Sequence, residues 1–349
     1  MELGWIHAYV GQISGVGASL LWTITTLFFT AAGKRVGTTV VNASRISFAC
    51  VMLAVTHRYL QGVWIPDVPW TQAAFLGVSG ILGLTIGDQA IIAAFVEIGP
   101  RLALLVTTTS PLWAAFFGRV FLGERLPGGA WLGLALTVGG IFCVIGERRY
   151  GPATIPRSKL FRGVLLALLA ALCQSGGYLL SKMGMGHGEG GHHVDAQAAT
   201  LIRMVFAAIT ILPALAVQLW FHRRSTAAIA SPGHATSLHD SGAGHTANAS
   251  AWRVGMLFSL CGAVVGPYLG VWLSLIACDR APLGVAQTLL TLAPVFILPA
   301  TAITHRERIS LRAAIGALIA VGGAAVLFGI TASPSSLAAP GVEPGTLGL

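Results

Sequence analysis

Residues 110–146 read SPLWAAFFGRVFLGERLPGGAWLGLALTVGGIFCVIG, and residues 293–329 read APVFILPATAITHRERISLRAAIGALIAVGGAAVLFG. Set against each other without a gap, at a shift of 183, they agree at nine of 37 positions. Pro111 meets Pro294, Glu124 meets Glu307, Arg125 meets Arg308, and Val138-Gly139-Gly140 meets Val321-Gly322-Gly323. The ungapped alignment reaches back to Gly83. A second shift, of 158, sets Arg45-Ile-Ser-Phe-Ala49 on Arg203-Met-Val-Phe-Ala207. Apolar composition produces chance Gly and Val matches. It does not easily set Arg-x-x-Phe-Ala early in the second apolar run of both halves, with Pro…Glu-Arg around the fourth. The chain is an internal duplication, and the offset changes where loops differ in length.

A helix needs about 20 apolar residues to cross the bilayer core. Such runs fall at 10–32, 38–57, 72–95, 102–122, 129–146, 162–181, 198–221, 254–277, 283–303 and 312–331. Five crossings is an odd number, so duplicated halves of five cross in opposite senses, as the inverted repeats of secondary transporters do. The expected fold is therefore all-α and integral to the membrane, with ten transmembrane helices in two five-helix inverted-topology repeats. The first repeat covers 10–146 and the second 162–331. The second includes a long polar loop of about 222–252, and composition predicts a mobile Pro/Gly/Ser-rich tail at 332–349.

Composition agrees. Apolar residues make up 55% of the 349 positions and charged ones 9%, against roughly 25% charged in soluble domains. The mean hydropathy is +0.78. Such a chain cannot cover a water-facing surface, whereas hydrocarbon imposes no cost on exposed Leu, Val and Ala. A net charge of +9 raises nucleic acid as a partner, but the Lys and Arg sit in short breaks between apolar runs as loop anchors. No basic stretch interleaves with aromatics, so nucleic-acid binding is excluded. The five cysteines form no CxxC pair and read as packing residues, without a disulfide framework or zinc site. The N-terminus lacks the basic region of a cleavable signal, so the first run is expected to be a retained helix.

On the two Arg-x-x-Phe-Ala segments and the two Pro-to-Glu segments ending at Gly123-Glu124 and Arg306-Glu307, the chain resembles ten-helix members of the drug/metabolite transporter superfamily, the EamA-like group. The resemblance covers about residues 10–331. Arg306 stands where the motif carries Gly. The resemblance implies transport of small organic metabolites or drugs, often as export, from the cell (plasma) membrane, with both termini in the cytoplasm.

Arg45 and Arg203 are the basic residues well inside spans. A charge there costs about 2.5–3.5 kcal/mol on insertion scales, so it faces a cavity or partner unless it snorkels. Asp88 is the deep acidic residue; its repeat partner is Val271. It is a candidate to bind a coupling proton or a cationic substrate, or to pair with Arg45. Further pathway candidates are Trp22, Gln174, Tyr178, Thr108, Thr291, Tyr268, Trp272 and Gln287, with Thr25 and Thr107 beside them. Pro111 and Pro294 are expected to kink or break their helices and free backbone carbonyls. Glu124 and Glu307 read as structural, hydrogen bonding at helix ends. His187, His192, His193, His234, His239 and His245 lie in polar loops at spacings that match no defined metal site, so no metal or cofactor is expected.

The chain has no HExxH, G-x-S-x-G or Walker loop and no paired intramembrane aspartates, so an enzyme is not expected. The two readings carried forward are a secondary transporter, as an exporter, and a non-transporting membrane scaffold or receptor. The bilayer and a small organic solute are the expected partners, with a coupling proton and a second copy of the chain as open options. The orientation rules conflict. Loops after the odd-numbered helices hold 14 of the 19 basic residues outside Arg45 and Arg203. That places both termini outside by the positive-inside rule, against the orientation the resemblance implies. Both put the termini on one side.

Overall fold

In the computed structural model the described residues are 4–145, 156–187, 192–229, 242–293, 295–296 and 311–331. Every regular element among them is helical. They are α1 (Gly4–Val36), α2 (Thr38–Gln61), α3 (Trp70–Gly80), α4 (Asp88–Thr107), α5 (Ser110–Phe121), α6 (Gly128–Ile145), α7 (Arg157–Lys182), α8 (Ala196–Ile229), α9 (Gly242–Ala263), α10 (Val271–Arg280), α11 (Leu283–Leu290) and α12 (Leu311–Thr331). Among the described residues, six helical stretches are long and apolar enough to cross a membrane, and Gly128–Cys143 and Ala314–Leu327 are shorter apolar helices.

Between α3 and α4 the backbone is π-helical over Ile81–Gly87, and between α9 and α10 over Val264–Gly270. The two segments are 183 residues apart. Their closing bonds match: Asp88 N–H donates to Gly83 and Thr85 carbonyls, and Val271 N–H to Gly266 and Tyr268 carbonyls. The break between the third and fourth expected spans lies within α4. A straight helix from Gly87 to Ser110 would be about 35 Å long. Yet Gly87 lies against Cys173 and the Ser110 carbonyl bonds Ser175, two residues further along α7. The chain therefore turns back inside α4, with Ile98 at the far end against Gly163.

The fourth and ninth expected spans break in the same way. Thr108 N–H donates to Leu104 O (3.1 Å), Thr109 to Val106 O (3.1 Å) and Leu112 to Thr109 O (3.0 Å). At the same shift, Thr291 donates to Gln287 O (3.1 Å), Leu292 to Leu289 O (3.3 Å) and Val295 to Leu292 O (2.8 Å). Pro111 then sits in the first turn of α5, where its missing N–H leaves nothing unpaired; Pro294 lies outside the described residues.

Helix packing follows the duplication. α1 packs on α9 and α10 while α7 packs on α3 and α4, and α2 packs on α8. α6 packs on α12, where Gly133 meets the Gly323 carbonyl and Gly140 meets Gly316. Small residues at such contacts let backbones approach where lipid supplies no hydrophobic drive.

One expectation changes. The polar loop expected at 222–252 is shorter, because 222–229 continue α8 and 242–252 open α9. Alanines at 227, 228, 243, 247 and 249 favour helix there despite the polar composition. Residues 230–241, the tail 332–349 and Glu307 lie outside the described residues.

Candidate functional site

A cavity of about 740 Å³ opens among α1, α2, α4, α5, α7 and α11. Each break in the ninth and fourth spans contributes: Thr107, Thr108 and Ser110 from one, Thr291 and Ala293 from the other. Hydroxyls pin both. Ser175 Oγ donates to Ser110 O at 2.8 Å and to its own helix at Ala171 O, 2.9 Å. Thr23 Oγ1 donates to Ala293 O at 3.2 Å and to Ser19 O, 3.0 Å. The carbonyl before each proline is thus held by a hydroxyl from the first helix of the other half. This sets a third shift, 152, between α1 and α7, and Gly177 meets Gly83 where Thr25 meets Gly266.

Arg45 and Asp88 are the charged residues of the cavity lining. An Arg45 Nη2–Asp88 Oδ2 ion pair joins α2 to α4, and Arg45 Nε donates to Asn42 Oδ1 at 2.8 Å. The guanidinium also lies over the Phe29 ring, 5.4 Å from its centroid. The π-helical segment positions Asp88 directly after its last residue, so the carboxylate faces α2. Paired and hydrogen bonded, the two charges compensate each other, with side chains 10% and 22% exposed.

Around this pair the walls are apolar and aromatic, from Trp22, Phe29, Ile91, Leu104, Leu290 and Tyr178. Uncharged polar groups are interleaved: Thr25, Thr26, Asn42, Gln174 and Gln287. Gln287 Nε2 donates to Ser110 Oγ at 3.2 Å. Thr25 Oγ1, Asn42 Nδ2 and Gln287 Oε1 are buried and find no partner among the described residues. An apolar concavity with a few convergent polar groups is what small-molecule sites have in common. It can hold a solute of mixed polarity, offering one cation, one anion and several amides.

Of the residues singled out in the sequence, Arg45, Asp88, Trp22, Gln174, Tyr178, Thr108, Thr291 and Gln287 line this cavity, as do Thr25 and Thr107. Arg203, Tyr268 and Trp272 are not among its lining residues. Arg203 is 3% exposed, donates from Nη1 to Ser181 Oγ at 2.6 Å and stacks over Tyr178 at 5.4 Å. Its backbone fills the space where a Cβ on Gly80 would be. Tyr268 hydroxyl shares a hydrogen bond with Thr56 Oγ1 at 2.8 Å, and its ring meets Trp272 at 6.1 Å. Asn42, Phe29 and Ser110 line the site but were not singled out in the sequence. Asn42 lies one turn before Arg45, the (i, i+3) spacing that would have marked it. Glu124 accepts from Lys182 Nζ (2.7 Å) and from Leu283 N–H (2.7 Å). His187 and His193 both hydrogen bond Asp279 through Nε2, at 2.8 and 3.2 Å. Among the described residues, no group of three or more His, Cys, Asp or Glu side chains has an arrangement that could hold a metal ion.

The chain matches the model of the EamA-like transporter family twice, over residues 9–146 and 161–329. No curated protein matches it. It is similar in fold to a solved structure described only as "Crystal structure of protein", with a TM-score of 0.67 and 21% identity, covering 92% of this chain and 97% of that one. The two family matches together take in nearly the whole chain, and so the protein belongs to the EamA-like transporter family and is a multi-pass membrane transporter of small solutes.

Proposed function

We propose that this protein is a secondary transporter in the plasma membrane. It exports a small organic solute by alternating access between two inverted five-helix repeats, ten crossings in all. The observation that carries the reading is the Arg45–Asp88 pair in a cavity bounded by two helix breaks with the same hydrogen bonds. Breaks of this kind are hinges and solute sites in inverted-repeat carriers.

In this reading the solute lies among Trp22, Phe29 and Tyr178, and its polar groups take up the unpaired atoms of Thr25, Asn42 and Gln287. Asp88 exchanges its bond to Arg45 for a proton or for a cationic group of the solute. That exchange ties the charge state of the cavity to its occupancy. Helices α6 and α12, which add no residue to the cavity, form a peripheral pair.

The test is flux in proteoliposomes of the purified full-length protein, using a panel of small organic solutes with and without a pH gradient. Saturable uptake of at least one solute, accelerated by the gradient, is the expected result. No saturable flux for any solute in either direction would sink the reading in favour of a scaffold or receptor.

A further inference from the structure

The cavity is one-sided. On α7 its lining runs from Ala170 to Tyr178 and stops short of Lys182; on α1 it runs from Trp22 to Gly33, and on α2 it takes Val41 to Arg45. It therefore extends toward the end where α1 finishes and α2 begins. At the opposite end, where α5 and α7 finish and α11 starts, the residues are packed shut: Cys278, Leu283, Ala286 and Leu289 are all fully buried.

A polar clasp lies across that shut end. Lys182 Nζ donates to Glu124 Oε1 at 2.7 Å and to the Ala281 carbonyl at 2.6 Å, and Leu283 N–H donates to Glu124 Oε2 at 2.7 Å. Three helix ends, those of α5, α7 and α10, are thereby tied to the first turn of α11. The carboxylate nests on Gly118, where any Cβ would collide with it, and Gly123 at φ +66 turns the chain back into this position. Both charges are mostly buried, with side chains 7% and 15% exposed, so breaking the pair leaves an uncompensated charge.

The other half keeps the glutamate, as Glu307, but not the residue types that hold it. At the shifts of 152 and 183, Thr30 stands in place of Lys182, and Pro100, which has no N–H, in place of Leu283. Thr301 stands in place of Gly118, and Arg306 in place of the left-handed Gly123. Glu307 matches Glu124, while the residues matched to Lys182, Leu283, Gly118 and Gly123 are all of other types.

We infer that Glu124 and Lys182 form a one-sided latch, which holds this end shut and biases the empty carrier toward access from the opposite end. The latch rests on the alternating-access reading above. A carrier with one latch has unequal resting states, since an interaction present in one conformation and absent in the other shifts their populations.

The native Cys278, 0% exposed and three residues before Ala281, reports on the shut end. Full-length protein in lipid nanodiscs is treated with N-ethylmaleimide, and each cysteine is followed by peptide mass spectrometry. Lys182→Met and Glu124→Gln should raise the Cys278 alkylation rate by about tenfold or more, and lower that of a Thr107→Cys probe in the cavity by a similar factor. Gly118→Ala, which displaces the carboxylate without removing a charge, should act in the same direction. Lys182→Arg should stay close to the parent. An unchanged Cys278 rate in Gly118→Ala and Lys182→Met overturns the latch. A faster Cys278 with unchanged Thr107→Cys overturns the bias, because it marks local loosening. Labelling that shifts as expected in a protein without flux upholds the latch and overturns the transport reading.

Discussion

Arg45 and Arg203 occupy the same place in the two halves, each three residues before a Phe-Ala pair on the second helix. Their surroundings differ. Arg45 meets a carboxylate, an amide and a ring at the edge of a cavity. Arg203 meets a hydroxyl and a ring in a packed interface, and its Nε finds no partner among the described residues. The residue that separates them is on the third helix of each half, Asp88 in one and Val271 in the other. Duplication copied the scaffold and its breaks, and one unmatched carboxylate gives one copy of the arginine an ion pair at the cavity while the other packs against a hydroxyl and a ring.

The sharpest way to break this contrast is Arg45→Ala. It leaves Asp88 without its cation, and removing one partner of a buried pair costs about 3–5 kcal/mol. Solute flux should fall at least about tenfold, with membrane insertion intact because a charge has been removed from a span. Flux within twofold of the parent would make the two arginines equivalent. Next in size is Asp88→Asn, which keeps the shape and hydrogen bonding but not the titrating group. Uphill, pH-driven transport should be lost while solute exchange, which moves no net proton, persists. Retained uphill transport would return Asp88 to a structural role.

Arg203→Ala should be milder for transport and heavier for stability. It removes one charge-assisted hydrogen bond and one cation–π contact, together about 2–4 kcal/mol. The expected result is a lower melting temperature with the apparent solute affinity unchanged, measured on the same purified protein. A weakened affinity would place Arg203 in the solute path after all. The smallest effect is expected from Ser175→Ala and Thr23→Val, each about 1 kcal/mol from one lost hydrogen bond. The two variants should match each other in melting temperature, since they cut equivalent bonds; a large disparity would break the symmetry of the two helix breaks.

Much of this was legible in the residues. Apolar runs marked where helices fall, because a bilayer demands length and composition more than pattern. The 183 shift located both breaks, and burial cost pointed to Arg45 and Asp88. Other parts were hidden for physical reasons. The 152 shift between α1 and α7 is carried by Thr23 against Ser175, which share only a hydroxyl, so identity counting misses it. Arg203 could not be told from Arg45, since its direction depends on helix rotation, and spans that are apolar all round show no polar face to fix that rotation. Nor does any residue pattern announce the π-helical segments.

Those segments set an angular phase. An α-helix advances about 100° per residue, and a π-type turn takes in one residue more than the α-helix would over the same rise. Everything after Gly87 is therefore turned relative to a plain continuation of α3. Asp88 is the first residue to receive that turn, and the carboxylate reaches Arg45 because of it. Losing a single residue between Ile81 and Gly87 would rewind the helix, swing Asp88 to a neighbouring face and leave the composition of the site untouched while dismantling it. In this protein the address of a functional group is written partly in a residue count.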